Sequence, residues 1–160
     1  MRDIEKLNFN ELEKEAIEFI TKNKFMALST CLENHATVRM VSIISEDLDI
    51  YFMTLKTTVK FQQLKNNSSI TFCIGNMQAE GTAEISCHPL EDTDFLESYK
   101  RCHENTFKIY GHLQDSIIIK IKPKFLSFWK YDDGLGAYKD CLDIVKQEAF
   151  REFYNSKFMS

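Results

Sequence analysis

The stretch ATVRMVSIISEDLDIYFMTLKTTVK, residues 36–60, carries the strongest fold signal in the sequence. Two runs within it, 36–44 and 48–54, are rich in β-branched and aromatic residues, and a short polar turn separates them. Such runs are typical of β-strands. The apolar residues of 57–66 then follow helical spacing. The stretch therefore predicts two strands followed by a short helix.

Cationic and hydroxyl side chains gather around this strand-to-helix junction. Arg39 lies in the middle of the first strand, on the same face as Val41, and Lys60 lies in the first turn of the helix beside Thr58. Helix N-termini favour anions, and arginine can donate two parallel hydrogen bonds to a phosphate. The pattern indicates a phosphate site with room for a flat ring alongside it. A solvated edge-strand arginine and an ordinary surface lysine remain alternatives.

Outward from this stretch, the sequence predicts many strands and few helices. An amphipathic helix is expected over 10–22, capped by Asn10, and Pro89 is expected to open another helix. The last helix is predicted from Tyr138 to Phe153. The further strands are expected at 25–32, 69–74, 78–87, 115–122 and 125–131, with a turn at 132–136.

Short strands joined by hairpin turns favour an antiparallel barrel over a parallel sheet, which would need a helix between most strands. The glycine-rich GxGxxG turn of doubly wound folds is absent. We expect one domain over residues 1–160, with a mainly β fold whose barrel core spans about 25–131. A few helices are expected to flank it.

Composition narrows the function classes. A net charge of −4 argues against non-specific binding to nucleic acid or an acidic membrane. No apolar run has the length of a membrane span. The five cysteines form no CxxC pair, and the four histidines are scattered, so no metal site is expected and a reducing, cytoplasmic location is favoured.

Five segments together resemble the pyridoxamine 5′-phosphate oxidase-like, FMN-binding split-barrel superfamily. They are Arg39-Met40-Val41, YFMT at 51–54, TTVKFQQLKNN at 57–67, GTAEI at 81–85 and KPKFLSFW at 122–129. The resemblance covers most of residues 25–131 and implies an antiparallel split barrel of Greek-key type. The short chain is most similar to the general-stress and nitroimidazole-resistance branches.

The resemblance also implies a set of FMN-binding residues. It assigns backbone contacts to the flavin ring, a phosphate lysine at Lys60, an amide at Asn76 or Gln78, and an aromatic at Trp129. For Trp129, a core or interface role is the alternative. The family is a homodimer with flavin at the subunit interface, so each site would use both chains. The complete set of implied cofactor residues is Arg39, Met40, Val41, Ser42, Met53, Thr54, Thr58, Lys60, Asn76, Gln78 and Trp129.

Two departures from the family pattern concern the substrate. Val59 stands where the authentic oxidase has a basic residue, and the loop after Trp129 carries Asp132 and Asp133 instead of a cationic substrate motif. Two carboxylates would repel a second phosphate. The sequence therefore predicts an FMN-binding, flavin-dependent oxidoreductase for a small molecule other than pyridoxamine 5′-phosphate. The alternatives are the same barrel with deazaflavin or haem, and a flavin-binding or storage protein without turnover.

Overall fold

The structure is a computed structural model that describes residues 3–133 and 136–154. Within these residues the strands are β1 (Ile4–Lys6), β2 (Phe25–Leu32), β3 (His35–Ser42), β4 (Ile44–Glu46), β5 (Asp49–Leu55), β6 (Ser69–Ile74), β7 (Met77–Ile85), β8 (Ser116–Asp132), β9 (Gly136–Asp143) and β10 (Glu148–Tyr154). The helices are α1 (Phe9–Lys22), α2 (Val59–Asn66), α3 (Thr93–Cys102) and α4 (Glu104–Tyr110), and a 3-10 turn lies at Pro89–Glu91.

All strand pairings among these residues are antiparallel, and the strands form one strongly connected sheet. Its main order is β1-β10-β9-β8-β7-β6-β2-β3. Outside this order, β5 pairs with β8, and β4 pairs with β5. The sheet curves around a core but does not close between β3 and β5. The mainly β, split-barrel prediction is confirmed.

The long strand β8 organises the sheet because it pairs with β5, β7 and β9. The sequence suggested two strands here, separated at Pro123, but the structure has one. The β7–β8 register shifts between Glu80 and Gly81, and this bulge accommodates the proline. A Cβ at Gly81 would lie 2.2 Å from the Lys122 carbonyl oxygen, so only glycine allows this close approach.

The predicted helix from Tyr138 to Phe153 is wrong. These residues form the β9–β10 hairpin, with a turn in which Gln147 adopts a positive φ of 59°. Leu142 is fully buried between its cross-strand neighbours Leu126 and Ala149. The sequence here has no proline to interrupt a helix, but these long-range pairings override the local preference.

The remaining element predictions differ mainly at their ends. Helix α1 is capped by Asn8, whose side chain accepts a hydrogen bond from the Glu11 amide, and not by Asn10 as expected. The segment after Pro89 forms a 3-10 turn before α3 begins at Thr93. Strands β1 and β4 and helix α4 were not predicted, and β4 occupies part of the polar turn expected between 36–44 and 48–54. The turn expected at 132–136 lies partly outside the described residues.

The main core lies inside the curved sheet and is closed by α1 and α2. Its fully buried side chains include Ile20 of α1, Met26 and Leu28 of β2, and Phe52 of β5. A smaller cluster around Phe95, Tyr99 and Phe107 fixes α3 and α4 against Ile118 on β8. Helices α3 and α4 thus lie close to the opening between β3 and β5.

Candidate functional site

A cavity of about 320 Å³ lies in the opening between β3 and β5. Its floor and walls come from both strands, the start of α2, and α3 with α4. Seven of its lining residues are among those implied by the family resemblance. They are Met40, Val41, Ser42, Met53, Thr54, Thr58 and Lys60.

The strand edges at this cavity lack sheet partners. Among the described residues, β3 pairs only with β2, and Phe52–Leu55 of β5 pair only with β8. Unpaired edges present backbone N–H and C=O groups that a polar, flat molecule can bind. The cavity therefore offers hydrogen-bonding groups that depend little on side-chain identity.

Two cations lie close together near the start of α2: Lys60 lines the cavity, and Arg39, which precedes the lining residue Met40, lies beside the cavity without lining it. Burial and the neighbouring Arg39 charge together lower the pKa of Lys60, and burial lowers the pKa of Arg39. Within residues 3–133 and 136–154, neither side chain forms an ion pair with a carboxylate. Two partly buried like charges without a counter-ion repel each other, and a bound anion would relieve that repulsion.

The Arg39 guanidinium is held by neutral acceptors. Its Nη1 donates to the Thr30 hydroxyl at 2.7 Å and to the Leu28 carbonyl at 3.3 Å, and its Nη2 donates to the Thr37 hydroxyl. These contacts fix the group in place while leaving its charge uncompensated.

The start of α2 adds further positive charge around Lys60. Thr58 caps the helix by accepting a hydrogen bond from the Phe61 amide, and its hydroxyl lies 3.1 Å from that of Thr54. The N-terminus of this eight-residue helix carries a partial positive charge. Lys60, the second residue of α2, adds its full charge at the same place.

Helices α3 and α4 supply a wall that the sequence analysis missed. Tyr99, Thr106 and Tyr110 line the cavity together with Thr58 and Lys60. The Tyr99 hydroxyl donates to the Ser42 carbonyl at 3.3 Å, and burial raises the pKa of this phenol to about 12. Tyr99 therefore stays neutral at ordinary pH. The helical spacing of Tyr99 identified it as buried, but no local signal linked it to β3.

Besides Arg39, three of the implied residues do not line this cavity in the single chain. Gln78 lines a second groove of about 410 Å³ on the outer face of the sheet, together with Lys139 and Val38. Asn76 instead binds the backbone of Trp129, with its Nδ2 2.9 Å from the Trp129 carbonyl oxygen.

Trp129 is half-buried on β8 and packs beside Tyr154, with ring centroids 4.9 Å apart. The Lys139 ammonium lies 5.6 Å from its ring centroid. Trp129, Lys139 and Gln78 thus mark an outer face that differs from the cavity.

The neighbouring Lys130 belongs to an ion network. Its ammonium contacts Glu15 at 2.6 Å and Asp140 at 2.9 Å, and Arg151 also binds Asp140. Burial disfavours ionisation of Asp140, but the hydrogen bonds from Arg151 and Lys130 outweigh it and lower its pKa. Lys130 is therefore already neutralised.

Three further features of the described residues concern anion binding, metal binding and membrane insertion. A hollow of about 440 Å³ between β4 and α3 carries Glu46, Asp92, Asp94 and Glu97, which would repel an anion. No group of three or more potential metal ligands occurs among these residues. Likewise, no helix in the described ranges has the length and apolarity needed to cross a membrane.

Comparisons with known proteins agree with this architecture. A family model described as pyridoxamine 5′-phosphate oxidase matches residues 12–130, which is more than half of the chain. A search of curated proteins finds no match.

Solved structures share the fold at low sequence identity. General Stress Protein 26 from Bacillus anthracis str. Sterne is 20% identical, with a TM-score of 0.60 over 74% of this chain and 93% of the other. An F420 reductase is 16% identical, with a TM-score of 0.54 over 69% and 94%. The heme storage protein HutZ from Vibrio cholerae is 13% identical, with a TM-score of 0.58 over 70% and 89%.

Proposed function

The chain belongs to the pyridoxamine 5′-phosphate oxidase family, and from this membership we propose that it is a homodimeric FMN-binding protein that oxidises or reduces a small molecule. The observation that supports the proposal is the pair Arg39 and Lys60, neither of which has a carboxylate partner among the described residues, next to a cavity that Lys60 lines and that unpaired strand edges bound. Bound FMN would supply the redox chemistry through its isoalloxazine ring.

In this proposal the chain's own residues bind and orient the cofactor. Arg39 and Lys60 neutralise the FMN phosphate, with Thr58 as a further hydrogen-bonding group. The backbones of Met40–Ser42 and of Met53 and Thr54 bind the flat ring along the two strand edges. Tyr99 holds the Ser42 carbonyl, so it positions the edge that faces the ring.

A second copy of the chain would bring the remaining implied residues to the flavin. Val38 and Met40 leave 69% and 64% of their surface exposed on β3, which suits burial against a partner. Gln78, Trp129 and the nearby Lys139 lie on the outer face. We propose that this face meets the cavity of the partner.

The substrate we propose is not pyridoxamine 5′-phosphate. A second phosphate would need cations after Trp129, but this segment carries Asp132 and Asp133. Lys130 cannot offset them because it is bound to Glu15 and Asp140. We therefore propose a smaller or less anionic substrate. The five free cysteines fit a reducing compartment, and we propose the cytoplasm.

The test begins with ligand binding by the full-length protein. We expect FMN to bind more tightly than riboflavin, deazaflavin F420 or haem, each added separately and followed by its absorbance or fluorescence. Preference for F420 or haem would contradict the proposed cofactor. The FMN-loaded protein is then mixed with a nicotinamide cofactor and afterwards with candidate acceptors. Reduction followed by reoxidation indicates an enzyme, whereas no reduction by any donor indicates a flavin-binding or storage protein.

A further inference from the structure

We propose that the buried amide of Gln63 positions the Arg39 guanidinium through the hydroxyls of Thr30 and Thr37, and thereby sets the strength with which Arg39 binds an anion beside Lys60. This inference rests on the proposed function, in which Arg39 binds the FMN phosphate. Gln63 is a positioning residue because it contacts neither the cavity nor Arg39 directly in the described contacts.

Gln63 is a polar side chain buried deeply between α2 and the β2–β3 hairpin, with only 4% of its surface exposed. Its Oε1 accepts hydrogen bonds from the Thr30 hydroxyl at 2.5 Å and the Thr37 hydroxyl at 2.8 Å. Its Nε2 donates to the His35 carbonyl at 3.0 Å. This last contact fixes which end of the amide faces the threonines.

The two ends of the network determine the direction of every hydrogen bond. A guanidinium can only donate, and an amide oxygen can only accept. Thr30 and Thr37 face each other across the β2–β3 ladder, and each hydroxyl lies between Arg39 and Gln63. Each hydroxyl therefore gives its hydrogen to Gln63 and turns its lone pairs towards Arg39.

This arrangement leaves a defined part of the guanidinium for a ligand. The bonds to Leu28, Thr30 and Thr37 use three of the five N–H groups of Arg39. Because the two threonine hydroxyls are only 3.4 Å apart, they take the Nη1 and Nη2 hydrogens that point the same way. The Nε hydrogen and the second Nη2 hydrogen remain, and these form a parallel pair suited to two phosphate oxygens.

Gln63 also couples the two cations of the site. It lies three residues after Lys60, so both side chains emerge from neighbouring positions on one face of α2. Anchoring Gln63 to the hairpin holds the helix that carries Lys60 against the strand that carries Arg39. Loss of the amide would free the hydroxyls to rotate and let the guanidinium leave its orientation.

The experiment measures FMN and riboflavin affinity for the full-length protein and its Gln63→Met, Arg39→Met and double variants. Methionine keeps a similar length but removes the amide. Gln62→Met is the matched control, since Gln62 is exposed on the same helix and its side-chain amide donates to the Lys56 carbonyl, away from the two threonines. We expect Gln63→Met to weaken FMN roughly tenfold, as loss of an outer hydrogen-bond partner does at metal sites, and to leave riboflavin unchanged.

The double variant separates positioning from general stability. If Gln63 acts through Arg39, adding Gln63→Met to Arg39→Met has no further effect on FMN affinity. An additive loss, or an equal loss for FMN and riboflavin, would overturn the role of Gln63. If Arg39→Met itself weakens both ligands equally, the proposed phosphate site fails instead. Thr37→Val, at a half-buried position, repeats the test if Gln63→Met does not fold.

Discussion

Removing the charge of Lys60 is expected to weaken FMN selectively. Lys60→Met keeps most of the side-chain length while deleting the ammonium that lies beside Arg39 at the cavity. Losing one hydrogen bond to a charged group costs about 1.5–3 kcal/mol. This corresponds to a loss of roughly ten- to a hundredfold in FMN affinity. Riboflavin has no phosphate, so its affinity should change little.

The assay is a titration of flavin fluorescence with the wild-type protein, Lys60→Met and the control Lys65→Met. Lys65 is exposed near the other end of α2, so its loss tests whether any lysine on this helix attracts FMN. The control is expected to retain wild-type affinity for both ligands. Equal weakening of FMN and riboflavin by Lys60→Met would refute the phosphate role.

The same substitution should have the opposite effect on the stability of the ligand-free protein. Burial and Arg39 lower the pKa of Lys60 in the folded state. The unfolded chain therefore binds this proton more tightly, and stability rises as pH increases through the lowered pKa. At neutral pH the charge is a cost, so Lys60→Met should stabilise the ligand-free protein by up to about 1 kcal/mol, the scale of partly exposed charge pairs. A lower urea midpoint for this variant would contradict the reasoning.

Three further outcomes are expected. Light scattering should give about twice the 18.8 kDa chain mass. Val38→Glu should produce monomers because it places a charge on the exposed face of β3. A wild-type monomer with full FMN affinity would disprove the dimer. The FMN-loaded protein mixed with pyridoxamine 5′-phosphate and oxygen should form no pyridoxal phosphate, and turnover near about 1 per second would restore the oxidase assignment. Asp140→Asn should lower the free energy of unfolding at pH 7 by about 3 kcal/mol, because it removes the buried carboxylate that Arg151 contacts and leaves Lys130 with Glu15 alone. The pKa of Asp140 is lowered in the folded state, so the stabilisation that Asp140 provides is present above the pKa of this carboxyl in the unfolded chain and is lost as pH falls through the lowered value. Urea titrations of the wild-type protein and the variant at pH 7 and in acid check both statements. Unchanged midpoints would contradict them.

The cavity could be anticipated from sequence because its parts lie close together along the chain. Residues 36–60 provide β3, β5 and the start of α2, so a strand charge, a helix start and a second cation appeared in one short window. Alternation placed Arg39 on the face of Val41, and the structure puts both on the inner side. Local pattern therefore predicted which neighbouring elements of the chain would meet at this cavity.

The missed features depend on contacts between distant residues. Asp140 and Arg151 look like helix-surface residues in sequence, but they face each other across the β9–β10 ladder and hold Lys130 from β8. In the sequence, Gln63 likewise looks like one polar residue of a short helix. Its partners Thr30 and Thr37 lie on strands β2 and β3. Neither propensity nor spacing encodes which strand a residue will meet.

The different surroundings of two arginines within this one fold support an anion-binding role for Arg39. Arg151 is paired with the buried carboxylate of Asp140, which Lys130 also contacts, so those charges are used for stability. Arg39 lies next to another cation, and its acceptors are hydroxyls and a carbonyl, although the chain contains 24 acidic residues. A carboxylate at Arg39 would stabilise the free protein but would compete with a phosphate for the same hydrogens. Neutral acceptors orient the guanidinium without cancelling its charge, which is the arrangement that binding of an external anion requires.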